Sequence, residues 1–201
     1  MNVRKVLLKG GAGIGGTALL AGAMWLHSLA PEVKATELDP IRNGGTVGEE
    51  VRNRDFSVRV EKVEAARSLA PRLSLGNPPS IGTEGIYLIV RIRAQSHREP
   101  VDLRTVELET PGGYTFDDDP RTSAVSAGAQ PILQPMIWSA TAFVFELPKK
   151  RLEGAHLIVG GGGLLPQLSA EADIDLGITA KRADELVKSA PERYEIKKDG
   201  P

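Results

Sequence analysis

The chain contains no cysteine. Disulfides, thiolate metal sites and a cysteine nucleophile are all removed at once. Histidine is scarce, 3 residues in 201, and only His97 and His156 lie beyond the first thirty positions. No Gly-x-Ser-x-Gly elbow occurs, so the usual strand-to-helix serine nucleophile has no place to sit. A formal net charge of −1 gives no basis for nucleic-acid binding. No internal repeat or long low-complexity tract is present.

What the chain does have is one long apolar stretch near its start. Residues 10–30 read GGAGIGGTALLAGAMWLHSLA and carry no formal charge apart from His27. Arg4, Lys5 and Lys9 precede the stretch. At a ~1.5 Å rise per residue it is long enough to cross a ~30 Å hydrocarbon core. Basic residues stay on the cytoplasmic side, so the first nine residues are expected inside and the bulk of the chain outside. A permanent anchor is one reading. The other is a signal peptide cut after Ala35, with Val33 and Ala35 as the small residues a peptidase inspects. Gly11 and Gly15 form a GxxxG pair that lets membrane helices approach closely, although a glycine-rich anchor produces such pairs by chance. His27 is expected to snorkel at the outer interface.

The exported part, roughly 170 residues, can fold without disulfides, because a ~150-residue domain buries ~68–70% of its unfolded surface. Residues 31–48, broken by Pro31, Pro40, Gly44, Gly45 and Gly48, read as a stalk. Beyond it the period becomes two. Phe56, Val58 and Val60 alternate with Ser57 and Arg59, and Val63 falls one place off register, which predicts a bulge near Glu61–Lys62. Residues 70–84 are rich in proline and glycine and read as a loop. Ile86, Leu88, Val90 and Ile92 alternate with Tyr87, Ile89, Arg91 and Arg93; the second set turns polar after Ile89, so the first half of this strand is expected to be covered on both faces. Val101–Leu108 gives a shorter strand or pair. Pro111-Gly112-Gly113 turns the chain, and Tyr114 and Phe116 restart the pattern. In Thr141–Leu147, Phe143, Phe145 and Leu147 share one face, and Pro148 ends the strand. Leu157 and Val159 follow, then Ile174, Leu176 and Ile178 alternate with Asp173 and Asp175. Thr179 is a suitable N-cap for a helix over 180–190, ended by Pro191. Residues 192–201 read as frayed. Many short strands with one late helix point to an antiparallel β-sandwich, with a barrel as the alternative.

Four stretches in order, Phe56–Val60, Gly85–Ile92, Phe143–Pro148 and Asp173–Gly177, resemble the actinobacterial extracytoplasmic immunoglobulin-like domains of unknown function, a group similar to the mycobacterial immunoprotective extracellular antigens. The resemblance covers roughly residues 46–178. It implies an immunoglobulin-like β-sandwich exported behind an N-terminal anchor, signal or lipobox, and implies no catalytic residues. This chain has no lipobox cysteine, so a lipid anchor is excluded. Gln134-Pro135-Met136 stands where the family often has Pro-Gly before a strand. The expected layout is therefore a basic tail over 1–9, a transmembrane or signal segment over 10–30, a stalk over 31–48, the sandwich over 49–178, and a short helix and tail over 179–201.

Candidate chemistry is sparse. Asp117, Asp118 and Asp119 could ligate calcium, yet the spacing lacks the glycine and distal glutamate of an EF-hand loop, and three carboxylates on a turn are more simply solvated. Gly160–Gly163 suggests a phosphate cradle, but Leu164-Leu165-Pro166 follows where a helix would have to start. His97 and His156 are both expected to be solvated. Asp173 and Asp175 share one face, as a glycosidase pair would, although the outer face of a strand explains them equally. Trp138, with Met136 and Ile137, is either core or an exposed docking aromatic. No catalytic residue, metal or cofactor is expected. The partners expected are the bilayer, through 10–30, and another envelope protein. The expected role is a non-catalytic binding module; a structural subunit of a membrane assembly, a secreted domain and an Asp/His hydrolase are the alternatives.

Overall fold

Alternation of apolar and polar residues builds this molecule, and the strands fall largely where that period places them. The structure, a computed structural model, describes residues 19–25, 40–70, 80–118, 132–161 and 169–195. The chain divides into two units, Met1–Leu38 and Asp39–Pro201. In the first unit, residues 19–25 are helical and exposed. Among the described residues no helix is long and apolar enough to cross a membrane. The described helix spans only ~10 Å of the ~30 Å required. Gly11, Gly15 and the rest of the 10–30 expectation lie outside the described residues.

In the second unit the strands are β1 (Ile41–Thr46), β2 (Glu50–Arg52), β3 (Phe56–Ala70), β4 (Ile81–Ser96), β5 (Val101–Asp102), β6 (Thr105–Thr110) and β7 (Tyr114–Asp117). They continue as β8 (Ile132–Leu133), β9 (Ser139–Leu147), β10 (His156–Gly160), β11 (Ala170–Asp175) and β12 (Tyr194–Glu195). A helix, Ala180–Ser189, precedes β12. Sheet A has the order β1-β11-β10-β6-β7; sheet B has β12-β3-β4-β9, with β2 added to β3; β5 and β8 form a separate small pair. The inward faces of both sheets meet in one core, with Phe56, Leu88, Phe143 and Phe145 from sheet B against Leu108, Leu157 and Ile174 from sheet A. This is a β-sandwich.

Several local expectations hold in detail. The register of β3 slips between Val60 and Lys62, as the displaced Val63 required. Ile86 through Val90 are all fully buried. Leu88 and Val90 join the inter-sheet core, while Tyr87 and Ile89 join Ala66, Leu69 and Val144 in a second cluster on the outer face of sheet B. The helix is capped by Thr179, whose hydroxyl accepts from the Arg182 N–H at 3.3 Å. Its Ala183 and Leu186 enter the inter-sheet core.

Four expectations need correction. The sheets are not wholly antiparallel, because β1 pairs with β11 and β12 pairs with β3 in parallel. The expected stalk contains β1. Gly45 reads as a breaker but is a packing requirement, since a Cβ there would lie 2.3 Å from Val51 Cγ2. Residues 81–84, expected in a loop, already belong to β4. Part of the frayed tail is β12, fastened by Ser68 Oγ donating to the Glu192 carbonyl and by the Arg67–Glu192 ion pair.

The choice between sandwich and barrel has a structural answer at the edges. At one edge, β1 of sheet A turns directly into β2 of sheet B, and Asn43 Nδ2 donates to the Arg52 carbonyl at 2.8 Å. At the other, Asp118 bridges to Phe145, and its Oδ1 accepts the Val144 N–H at 2.8 Å. The two sheets face each other with both edges stitched, which protects backbone groups that a free edge would expose.

Candidate functional site

Three candidate sites stand out among the described residues. The first is the outer face of sheet A. Register places Glu107 and Glu109 of β6, His156 and Ile158 of β10, and Glu171, Asp173 and Asp175 of β11 on that face. His156 Nδ1 lies 2.8 Å from Asp173 Oδ1. Both border a groove of roughly 490 Å³ with Glu109, Thr110 and Thr115. Arg42 of β1 donates to Glu171 at 3.2 Å and reaches Glu109 at 2.7 Å. The hydrogen bond to Glu109, followed by the field of both carboxylates, outweighs desolvation and holds its guanidinium firmly charged. Burial pushes the Glu171 carboxyl above its ordinary range, against the opposing pull of Arg42. Asp175 does not join this network; its Oδ1 accepts the Gly177 N–H at 2.8 Å. Asp173 and Asp175 thus have separate partners rather than acting as a carboxylate pair.

The second place surrounds His97, which is not simply solvated. Its Nε2 lies 2.9 Å from Ser57 Oγ and its Nδ1 lies 3.3 Å from the Arg54 carbonyl. A carbonyl only accepts, so Nδ1 carries the ring N–H and Nε2 accepts a hydrogen bond from the serine hydroxyl. The Ser-His geometry exists, but Ser57 is fully buried and the third position is a backbone carbonyl rather than a carboxylate. This arrangement staples the β2–β3 turn to the end of β4. Asn53 reinforces the turn, its Oδ1 accepting the N–H groups of Asp55 and Phe56.

The third place is one end of the sandwich. Met136 adopts φ 61°, uncommon for a residue with a Cβ. Its N–H donates to the Ser96 carbonyl at 3.0 Å, and the Ile137 N–H closes a turn onto Gln134 at 3.3 Å. This turn drives apolar side chains outward. Met136 is 74% exposed, Ile132 and Ile137 are exposed, and Trp138 remains 37% exposed with Arg59 stacked 5.9 Å from its ring centre. Trp138 is therefore not core.

Asp117 and Asp118 diverge. Asp117 lies opposite Glu107 in the sheet A ladder, whereas Asp118 serves the seam to β9. Asp119 lies outside the described residues, among which no group of three or more potential ligands could hold a metal ion. Gly160 is a strand residue, closely packed because a Cβ would lie 3.0 Å from Glu171 Cγ, so the cradle reading fails there. Gly162 and Gly163 lie outside the described residues.

Sequence reasoning missed Arg42, Ser57, Ile132 and the Glu64–Arg91–Tyr194 group on the outer face of sheet B. There Tyr194 OH donates to Glu64 at 2.6 Å and Arg91 pairs with the same carboxylate at 3.1 Å. Hairpin register is the signal that finds Ser57. Pairing Phe56 with Ser96 sets Ser57 opposite Gln95 and one step from His97.

No family model and no curated protein matches this chain. It is similar in fold to an uncharacterized β-sandwich protein from Clostridium difficile 630, at 10% identity over 67% of this chain and 95% of that one, with TM-score 0.37. It is also similar to the yjhA protein from Bacillus subtilis, at 10% identity over 65% and 99%, with TM-score 0.45. A conserved hypothetical protein from Bacillus anthracis gives 16% identity over 57% and 87%, with TM-score 0.43. The sandwich assignment stands on this chain's own two sheets and shared core.

Proposed function

We propose that the protein is a non-catalytic interaction module of the cell envelope. Residues 10–30 hold it at the membrane, the sandwich lies on the extracytoplasmic side, and the apolar end around Trp138 is its contact surface. The observation that carries this reading is the group of exposed side chains Ile132, Met136, Ile137 and Trp138, set around a hydrogen-bonded turn at the end of a sandwich with stitched edges. The charge asymmetry about residues 10–30 and the resemblance to extracytoplasmic immunoglobulin-like domains support the placement. A photoreactive residue at Met136 in intact cells should give light-dependent adducts with an envelope component. Yields no higher than those from the exposed Thr115 on sheet A would refute the contact surface.

One observation favours a second reading, a hydrolase. His156 and Asp173 form the oriented base that such chemistry needs, beside an open groove. In that case any ester or glycoside turnover by the purified chain should vanish in His156→Ala. Turnover unchanged in that variant removes this site from consideration.

A further inference from the structure

The same end that carries Met136 and Trp138 is the end at which the chain enters the sandwich. The start of β1 (Ile41) lies beside the start of β11 (Ala170), and the start of β11 lies beside the end of β10 and the start of β6. Ser96 and Ser139 mark the matching ends of β4 and β9 in sheet B. Ile41, Ile132, Met136, Ile137 and Trp138 are all exposed there. Apolar side chains left in water at one pole of a domain, with a tryptophan among them, match the composition of the membrane–water interface.

We propose that this pole rests on the lipid surface itself, inserting Met136, Ile137 and Trp138 among the headgroups. The proposal rests on the reading that residues 10–30 are a membrane anchor. In that reading the roughly ten residues before Ile41 reach at most ~35 Å when extended, which confines the pole to the neighbourhood of the bilayer. Tethering raises the effective concentration to the millimolar range, so a weak surface affinity suffices. The charged groups at this pole are partly paired with one another, Arg54 with Asp55 at 2.9 Å and Arg104 with Asp102 at 3.4 Å. Arg54 and Arg98 line a groove of about 320 Å³ with Asp55, Glu99, Pro100 and Val101. Arg52 and Arg104 add two cations, and Asp102 adds a further carboxylate. Among the described residues the signs nearly cancel, so apolar insertion carries the contact, and both salt and anionic lipid content should change it less than twofold.

The two tryptophans make the test decisive. The full chain is reconstituted into vesicles containing lipids brominated near the headgroup and at mid-chain. In Trp25→Phe, only Trp138 reports; in Trp138→Phe, only Trp25 reports. The expected result is quenching of Trp138 by headgroup-proximal bromine and of Trp25 by deeper bromine. Adding Met136→Asp and Ile137→Asp to Trp25→Phe should cut Trp138 quenching at least about threefold. Both positions are exposed, so an unchanged melting temperature confirms folding. Quenching of Trp25 with none of Trp138 overturns the lipid contact and leaves the anchor intact. Quenching of neither overturns the anchor. A protein adduct from the Met136 crosslinker, with no lipid adduct, also overturns the lipid contact while preserving the interaction module.

Discussion

The two outer faces of this sandwich solve the same problem in different ways. Sheet B carries a second apolar layer outside the core, in which Tyr87, Ile89 and Val144 are fully buried and β12 lies along β3. Sheet A has a single apolar side chain at the centre of its outer face, Ile158, which is 1% exposed. Around it stand Glu107, Glu109, Glu171, Asp173, Arg42 and His156. Arg42 reaches from β1 to Glu109 on β6, and β10 with Ile158 lies between those strands. One face is closed by apolar packing and a terminal strand, whereas the other carries lateral ion pairs from Arg42 to Glu171 and Glu109. The apolar closure should contribute far more, because exposed or half-exposed pairs are worth ~1 kcal/mol or less each.

The largest expected effect tests that ranking directly. Tyr87→Ala removes a fully buried ring from the second layer of sheet B. It should cost ~3–5 kcal/mol in urea unfolding, the usual range for truncating a buried aromatic. Ile158→Ala on sheet A should cost about 2 kcal/mol, at the low end for a buried aliphatic, because the Arg42 stem can settle into the space. Equal costs at the two positions would abolish the distinction between the faces.

Much of this contrast is legible in the alternation of the chain alone. Ile86–Val90 announce double coverage by being apolar at every position, and Phe143–Leu147 nearly repeat the signal. What periodicity does not show is which segment covers them. Tyr194 and Glu195 are two residues, too few for a period, and their parallel pairing is prepared by the Pro191 and Glu192 carbonyls, which accept from the Arg67 N–H and the Ser68 hydroxyl distant in sequence. β1 is hidden for the opposite reason. Its glycines look like breaks, yet Gly45 is demanded by the approach of Val51. At the candidate sites, the parity rule puts Asp173 on an outer face but does not supply His156 as its partner, because that depends on register between strands. Trp138 is legible as an apolar side chain and ambiguous as to side, because the left-handed backbone of Met136, two residues earlier, breaks the period-two pattern.

A smaller effect is expected at the seam that joins the two faces. Asp118→Ala deprives the Val144 N–H of its acceptor. A partly buried donor left unpaired costs ~1–3 kcal/mol. The change should also speed hydrogen exchange at the Val144 amide relative to the Phe145 amide. Unaltered exchange there would mean that the β7–β9 edge opens without this bond.

The smallest effects are electrostatic, and the two faces should respond to acid in opposite directions. On sheet A, burial raises the Glu171 carboxyl above its unfolded value even with Arg42 alongside. A raised carboxyl penalises the fold when ionised, so the penalty is fully present above the folded value and disappears as pH falls through it. On sheet B, burial also works against the Glu64 carboxylate, but donors from Lys62, Tyr194 and Arg91 together hold it below its ordinary range. That contribution is present above the unfolded value, ~4.3, and is lost as pH drops through the folded value. Wild-type stability should therefore rise slightly on going from neutral to mildly acid pH and fall again below about pH 4. Glu171→Gln should remove the rise, and Glu64→Gln should soften the fall, each by ~1 kcal/mol or less. Urea midpoints measured from pH 7 down to about pH 3 will separate them. If Glu171→Gln ran parallel to the wild type through the mildly acid range, Arg42 would have to be compensating the burial of Glu171 in full, and sheet A would be no more acid-tolerant than sheet B.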